Sequence, residues 1–283
     1  MIVHLTKPKA KTTRNYDRNS RWYEFPDGMV YGSVTNVLGA CAKPALTYWS
    51  ANRERVLVTE TAADLFEEAP ATPKMSRMAF LTTLGNRLGK KRAHQKELEK
   101  ASDIGSQAHS LIEWNLRREM GEKVGKEPVV RPESLHAFTA WEDWRRSVNL
   151  TPMAVEEVAW NDSAQYAGTV DLIAKCVLPD LGEVIAVLDW KTGKAIYGEA
   201  LLQNSAYIHA LIEMGNDTPP ITGIVVRLPK VETDPDFEVR VIPWEEVSRL
   251  YNVFLAVKYT WNWMQEEEKK KNEEAKPAKE KVG

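Results

Sequence analysis

Two short segments of the chain each place a carboxylate at or near the end of an apolar, β-branched run: Gly168-Thr169-Val170-Asp171 and Leu188-Asp189-Trp190-Lys191. In a strand, residues two apart share one face and lie roughly 6–7 Å apart at Cα, so Asp189 and Lys191 would project together. Glu157, on the preceding strand run, would add a further acid. The spacing therefore predicts that several carboxylates and one ammonium group meet at one place.

A plain ion pair between Asp189 and Lys191 is the simplest alternative, because an unpaired buried carboxylate is costly. That pair does not account for Asp171 or Glu157. Three acids beside one lysine would repel each other unless a cation binds among them, and oxygen-rich sites with open positions suit Mg²⁺ or Mn²⁺. Such a metal lowers the pKa of a bound water from about 16 towards about 7–9 and generates a hydroxide nucleophile. Lys191 would orient or help deprotonate that water and offset negative charge on a phosphate under attack.

A helix is predicted upstream of these segments, from Ile104 to Met120, with Ser102 and Asp103 as N-caps. His109 and Glu113 lie at i and i+4, so they share one face of this helix. A single histidine on such a helix is more often a hydrogen-bonded core residue, and only the acidic partners favour a role as a ligand. Glu113 would then either orient His109 or be exposed.

The remaining pattern alternates between helices and strands. Helices are predicted over residues 44–68, 76–88, 133–148, 198–214 and from 243 onwards, and strands over 21–25, 29–31, 155–160, 166–177, 183–191, 221–228 and 237–242. The order predicts an α/β fold with a central mixed β-sheet flanked by helices. We expect one elaborated domain, with an N-terminal arm and helical elaboration (1–100), a core (101–264) and a charged flexible tail (265–283). The first 20 residues are expected to be an irregular arm.

The composition of 43% hydrophobic and 28% charged residues is that of an ordinary soluble protein, and the net charge of −2 gives no overall basic signature for nucleic acid. The composition does not exclude a local basic groove, because Lys90, Lys91 and Arg92 belong to the densest positive patch before the tail. Cys41 and Cys176 are expected to be buried free thiols, since two cysteines cannot supply a four-cysteine metal site. With no membrane-spanning run and no secretory signal, a cytoplasmic protein is expected.

Asp171 followed by Asp189-x-Lys191 resembles the PD-(D/E)xK nuclease superfamily, with Gly168-Thr169-Val170-Asp171 in place of the Pro-Asp. Gly105-x-x-x-His109 resembles the first motif of the RecB-like branch, and Gln203-x-x-x-Tyr207 resembles its last. Residues 33–38 (SVTNVL) with 43–46 (KPAL) are similar to the N-terminal segment of phage-type and mitochondrial genome-maintenance-type exonucleases of that branch. The five motifs occur in the family's order over residues 30–228.

This resemblance implies a restriction-endonuclease-like core of helix, three strands, helix and strand, and a role for each matching residue. The metal ligands would be His109, Asp171, Asp189 and the carbonyl group of Trp190. Lys191 would be the catalytic lysine, and Glu157 an auxiliary acid near the metal. Gln203 and Tyr207 would hold the nucleic-acid backbone or brace the site. The branch members that carry an iron–sulfur cluster have four cysteines, so no cluster is expected here. The sequence has no Walker-type loop, so no helicase or ATPase module is expected either.

The leading hypothesis is a Mg²⁺- or Mn²⁺-dependent DNA exonuclease that hydrolyses phosphodiesters at single-stranded ends during replication, recombination or repair. Lys90, Lys91 and Arg92 would contact the DNA strand, and replication or recombination proteins are candidate partners. A structure-specific endonuclease or junction resolvase of the same superfamily is an alternative. So is a non-catalytic DNA-binding recombination accessory protein, although an inactive relative would be expected to lose Asp171, Asp189 or Lys191.

Overall fold

A computed structural model describes residues 11–15, 20–41, 43–68, 76–215, 221–234 and 236–274 of the 283-residue chain. The strands are β1 (Lys11–Asn15), β2 (Ser20–Glu24), β3 (Val30–Ser33), β4 (Thr151–Asn161), β5 (Tyr166–Leu178), β6 (Gly182–Lys191), β7 (Ile221–Arg227) and β8 (Glu238–Ile242). The helices are α1 (Val34–Leu38), α2 (Pro44–Glu68), α3 (Arg77–Leu88), α4 (Ala93–Glu119), α5 (Pro132–Ser147), α6 (Gly198–Glu213) and α7 (Trp244–Glu274).

One eight-stranded sheet runs in the order β1-β2-β3-β5-β6-β7-β8, and β4 pairs with β5 outside this path. The β3–β5 and β6–β7 pairs are parallel, whereas the other neighbours are antiparallel. The predicted α/β class and the mixed sheet flanked by helices are therefore confirmed.

Helices cover both faces of the sheet, and the alternation of β6 shows how. Val187 joins a core cluster with residues of α1, α6 and α7, while Leu188 and Trp190 join another with residues of α4 and α5. Because side chains alternate along a strand, β6 contributes to both clusters and is almost wholly apolar. Asp189 and Lys191 lie two and four residues after Val187, so their side chains project from the same face of the sheet, the face that α6 covers.

The register of β5 leaves a gap in the sheet beside the predicted site. On one edge β5 pairs with β4, and on the other it pairs first with β3, at Tyr166 and Ala167, and then with β6. The pairing with β6 begins at Leu172↔Leu188, whereas β6 stays paired with β7 through Lys191. The strands β5 and β6 therefore separate at Asp171, which precedes Leu172 on β5, and at Asp189, which follows Leu188 on β6.

Helix α4 is longer than predicted, because it begins at Ala93 rather than near Ile104. Ser102 and Asp103 consequently lie inside the helix and are not its N-caps. The reason is that residues 93–101 (AHQKELEKA) consist mainly of strong helix formers, whose propensity continues the helix through two residues that would otherwise favour a start.

The N-terminal prediction is wrong for Lys11–Asn15, which forms β1 against β2. Backbone pairing at a sheet edge requires no apolar pattern, so this polar strand left no signal in the sequence. The rest of the predicted arm, residues 1–10 and 16–19, lies outside the described residues. At the other end, α7 continues through Glu274, ten residues into the predicted tail, and residues 275–283 lie outside the described residues.

The chain divides into two compact units, one formed by Ala42–Ser106 and the other by Met1–Cys41 with Gln107–Gly283. The predicted boundary at residue 100 thus falls within α4, and β1–β3 belong with the sheet rather than with the helical elaboration. Within the smaller unit, Nδ1 of His94 lies 3.0 Å from Oε1 of Glu54, linking α4 to α2. The larger unit contains the sheet and is described below.

Both cysteines are free thiols, as predicted; Cys176 is buried, whereas Cys41 is partly exposed. None of the helices in the described part of the chain combines the length and the apolar character that crossing a bilayer requires.

Candidate functional site

A cavity of about 240 Å³ opens where β5 and β6 separate, and we call it the acidic cavity. Its lining residues are Arg21, Tyr23, Ser33, Thr35, His109, Glu156, Gly168, Thr169, Asp171, Asp189, Lys191, Gln203 and Tyr207. The residues predicted for one site from four separate segments of the chain, His109, Asp171, Asp189 with Lys191, and Gln203 with Tyr207, therefore lie around one space.

Lys191 and Asp189 form the buried ion pair that their spacing on β6 predicts. Nζ of Lys191 donates to Oδ1 of Asp189 at 2.8 Å and lies 2.6 Å from Oδ2. Asp189 is 1% exposed, so its charge depends on this neighbour. The ammonium group of Lys191 thus neutralises the buried carboxylate.

Gln203 on α6 links this ion pair to Tyr207, one helical turn later. Its Oε1 accepts from Nζ of Lys191 at 3.2 Å, while its Nε2 donates to Oδ1 of Asp189 at 3.1 Å and to the hydroxyl of Tyr207 at 3.0 Å. The charges of Lys191 and Asp189 fix the orientation of the amide, because a flipped amide would direct N–H groups at the ammonium. Gln203 therefore braces the site, whereas Tyr207 keeps its own hydroxyl proton to donate.

The ring of Tyr207 lies directly over the backbone of β5 at Gly168. A Cβ atom at Gly168 would lie 2.3 Å from Cε1 of Tyr207, far closer than packed atoms approach. Gly168 is consequently required so that Tyr207 can reach the cavity.

Trp190 connects Asp171 to His109 through its peptide groups. Its N–H donates to Oδ2 of Asp171 at 3.0 Å, and its carbonyl oxygen lies 3.2 Å from Nε2 of His109. The indole is 1% exposed and packs edge-to-face on Trp141 of α5, with centroids 5.1 Å apart. This packing anchors the peptide groups that position the two polar side chains.

His109, Glu156 and Asp171 can each offer a ligand atom within 4.8 Å of the others, an arrangement that could hold a metal ion. A carbonyl oxygen only accepts, so the 3.2 Å contact with Trp190 puts a proton on Nε2 of His109. In the neutral ring, the lone pair is then on Nδ1, which lies 3.8 Å from Oδ2 of Asp171. A lone pair beside a carboxylate is favourable when a cation lies between them, so the donor set fits Mg²⁺ or Mn²⁺.

Glu156, rather than the predicted Glu157, lines the acidic cavity. It falls opposite Asp171, between the register pairs Val155↔Leu172 and Glu157↔Val170. Its φ of 52° is in the left-handed region, which interrupts the alternation of β4. Glu157 is not among the residues that line the cavity. A regular alternation along β4 could not have shown which of the two neighbouring acids faces the site.

Two acids of the cavity, Glu156 and Asp189, have raised pKa values. Burial raises the pKa of Glu156 to about 7, and the charge of Asp171 adds to the increase. Burial also raises the pKa of Asp189 to about 6, although the positive charge of Lys191 opposes this. Burial lowers the pKa of Lys191, but the carboxylates of Asp189 and Asp171 outweigh that effect, so its pKa is raised. The lysine thus stays charged, while the crowded acids would be stabilised by a further cation.

Several lining residues were not predicted for the site. Tyr23 is 1% exposed and its hydroxyl lies 2.9 Å from Oγ1 of Thr169, joining β2 to β5. Arg21, Ser33 and Thr35 also come from the N-terminal strands and α1. Ser33 and Thr35 belong to the segment 33–38 on which the predicted family resemblance partly rests, whereas Arg21 had no signal in the sequence.

Other predicted residues have different positions. Glu113 accepts a hydrogen bond from Nε of Arg117 at 2.8 Å, which places it in an ion pair on α4. Lys90, Lys91 and Arg92 are exposed between α3 and α4, in the smaller unit, and Lys91 pairs with Glu99. Their contact with DNA stays a prediction.

Comparison of the chain with protein-family models and with curated protein sequences returned no match.

Proposed function

We propose that the protein is a metal-dependent DNA exonuclease of the PD-(D/E)xK superfamily, in its RecB-like branch, that hydrolyses phosphodiester bonds at single-stranded ends. One observation carries the proposal. Asp171, Asp189 and Lys191 line one cavity together with His109 and Gln203, at the point where two core strands separate. A purely structural ion pair would require only Asp189 and Lys191.

The element order supports the restriction-endonuclease-like core that this proposal includes. Helix α4, strands β4, β5 and β6, helix α6 and strand β7 follow one another in the expected order, with α5 between α4 and β4. The acids lie at the end of β6 and within β5, beside the gap in the sheet. Both acids line the cavity, although Asp189 itself is buried beneath Lys191.

The residues that would hold the metal are His109, Glu156 and Asp171, with Asp189 and the Trp190 carbonyl adjacent. When bound, Mg²⁺ or Mn²⁺ would supply an activated water and positive charge at the phosphate. Burial is the main cause of the raised pKa values of Glu156 and Asp189, and a bound cation would favour the charged form of both acids.

The protein's own groups have separate roles in this proposal. Lys191 would supply a fixed positive charge beside the attacking water. Gln203 orients the ammonium group of Lys191 by accepting its hydrogen bond on Oε1 at 3.2 Å. Tyr207 stays protonated, because burial and the charge of Asp189 raise its pKa, and so its hydroxyl can donate to a phosphate oxygen. Asp171 positions the peptide of Trp190 and contributes negative charge for the metal.

The direct test is the incubation of a fluorescently labelled single-stranded oligonucleotide with the protein and Mg²⁺ or Mn²⁺. We expect the wild type to release short products and Lys191→Ala to be slower by at least about 100-fold. Lys194→Ala is the matched control, because Lys194 is exposed and does not line the cavity. Thermal unfolding of each variant shows whether it is folded. Equal cleavage by the wild type and folded Lys191→Ala would refute the proposal.

Two further substrates separate the related alternatives. A circular single strand has no end, so an exonuclease leaves it intact whereas an endonuclease or junction resolvase cuts it. A non-catalytic DNA-binding protein would bind the linear strand with no metal-dependent turnover. Labels placed at each end in turn then give the direction of hydrolysis.

A further inference from the structure

The acidic cavity contains a second cation besides Lys191, the guanidinium group of Arg21 at the start of β2. The side chain of Arg21 is exposed, and no described residue forms an ion pair or hydrogen bond with its guanidinium group. Its backbone, by contrast, is fixed. The amide N–H donates to Oδ1 of Asn36 at 3.2 Å, and the carbonyl accepts from Nδ2 of Asn36 at 2.7 Å.

Lys191 is already committed to other partners. Its ammonium group contacts Asp189 at 2.8 and 2.6 Å and Gln203 at 3.2 Å. Two of these contacts are hydrogen bonds, to Oδ1 of Asp189 and to Oε1 of Gln203, and the third is the ion pair with Oδ2 of Asp189. A phosphate entering the cavity would compete with Asp189 for Lys191, so a second cation beside the cavity would help to offset its negative charge.

Arg21 lines the cavity together with Glu156, Asp171 and Asp189, so its exposed side chain borders the same space as these acids.

Ser33 and Thr35, close in the chain to the Asn36 that holds the Arg21 backbone, also line the cavity. Oγ of Ser33 accepts from the backbone N–H of Asn36 at 3.1 Å and lies 3.0 Å from Oγ1 of Thr35. If Ser33 donates to Thr35, the exposed Thr35 hydroxyl keeps its own proton for a ligand. An arginine fork and a hydroxyl donor together form a suitable environment for phosphate oxygens.

We propose that Arg21 is a further catalytic residue, whose guanidinium group binds a phosphate oxygen of the DNA strand at the cavity. This inference rests on the proposed nuclease function, and it assigns the substrate phosphate to Arg21, with Thr35 as an additional donor. Asn36 is the positioning residue, because its side chain fixes the backbone of Arg21.

The experiment measures kcat and KM for a labelled single-stranded oligonucleotide at saturating Mn²⁺. Arg21→Gln should lower kcat/KM by about 10- to 150-fold, the range expected for the loss of a hydrogen bond to a charged group. Arg21→Lys should recover part of this loss, since it keeps the charge but not the planar fork. Arg249→Gln is the matched control, because Arg249 is exposed on α7 and does not line the cavity.

A Mn²⁺ titration separates a phosphate contact from a simple counter-ion to Glu156. If Arg21 binds phosphate, Arg21→Gln needs the same Mn²⁺ concentration for half-maximal activity as the wild type. If Arg21 only offsets the charge of Glu156, Arg21→Gln reaches half-maximal activity at a different Mn²⁺ concentration, and its kcat/KM at saturating Mn²⁺ equals that of the wild type. The second result, or equal kcat/KM in the two proteins, would overturn the proposal.

Oligonucleotides with a 5′-phosphate and with a 5′-hydroxyl distinguish the source of the phosphate. An equal loss on both substrates supports contact with an internal phosphodiester, and a loss confined to the phosphorylated substrate supports contact with a terminal phosphate. Should the wild type cleave neither, the proposed function fails on its own. Arg21 is then judged by fluorescence anisotropy with a short labelled oligothymidine, where equal binding by the wild type and Arg21→Gln would overturn the inference.

Discussion

The backbone N–H of Trp190 donates to Oδ2 of Asp171 at 3.0 Å, across the point where β5 and β6 stop pairing. A carboxylate here takes the place of the backbone acceptor that a continuous sheet would provide. The two strands can therefore separate without leaving this buried N–H unsatisfied. The gap that results is the acidic cavity, so the feature that interrupts the sheet also supplies its acidic lining.

Gly168→Ala should destabilise the protein by about 1–3 kcal/mol, because the added methyl group would overlap the ring of Tyr207 at 2.3 Å. The cleavage rate should also fall in the fraction of protein that stays folded, because the ring of Tyr207 must move away from Gln203. Chemical denaturation and steady-state cleavage measure the two effects. Gly198→Ala is the control, because a Cβ there meets nothing within 4 Å. The packing would be more permissive than we infer if both alanine variants behaved like the wild type.

Glu156→Gln and Glu157→Gln form a matched pair that tests which acid belongs to the site. Glu156→Gln should weaken Mn²⁺ binding by at least about 10-fold, since it removes one charged ligand of the group formed with His109 and Asp171. Glu157→Gln should change it by no more than about twofold. The increase in unfolding temperature with Mn²⁺ concentration reports the affinity. A larger effect at Glu157 would restore the original assignment.

The metal-free protein should lose stability as the pH rises from about 4.5 to about 7. Burial raises the pKa of Glu156 from its ordinary 4.5 to about 7 in the folded chain. Within this interval the folded state holds a proton that the unfolded state has released, so rising pH favours unfolding. Denaturation in a chelating buffer from pH 4.5 to 8 measures this change. Glu156→Gln should flatten the profile relative to the wild type; parallel profiles would contradict the assignment.

Simultaneous neutralisation of Lys90, Lys91 and Arg92 by alanine should weaken binding of single-stranded DNA and reduce its salt dependence. Three lost phosphate contacts correspond to a decrease of about 2 in the slope of log K against log salt concentration. Anisotropy titrations at several salt concentrations measure this slope. The same change at Lys269, Lys270 and Lys271, three exposed residues of α7, is the control. An equal decrease in both triple variants would indicate only a non-specific effect of charge.

Local periodicity in the sequence was sufficient to predict much of the fold. The strand pattern before Asp189 predicted β6 and the shared face of Asp189 and Lys191, because strand geometry fixes that relationship without help from the rest of the chain. Helical spacing likewise put Gln203 and Tyr207 on one side of α6, one turn apart.

The tertiary structure alone decided which side chains meet. Glu156 replaces Glu157 because a left-handed residue interrupts β4, and local pattern carries no sign of that irregularity. Arg21 and Thr35 reach the acidic cavity because β3 pairs with β5 across more than 130 residues of sequence. Sequence spacing determines contacts within one strand or helix, whereas contacts between distant segments depend on register and packing, which the whole fold sets.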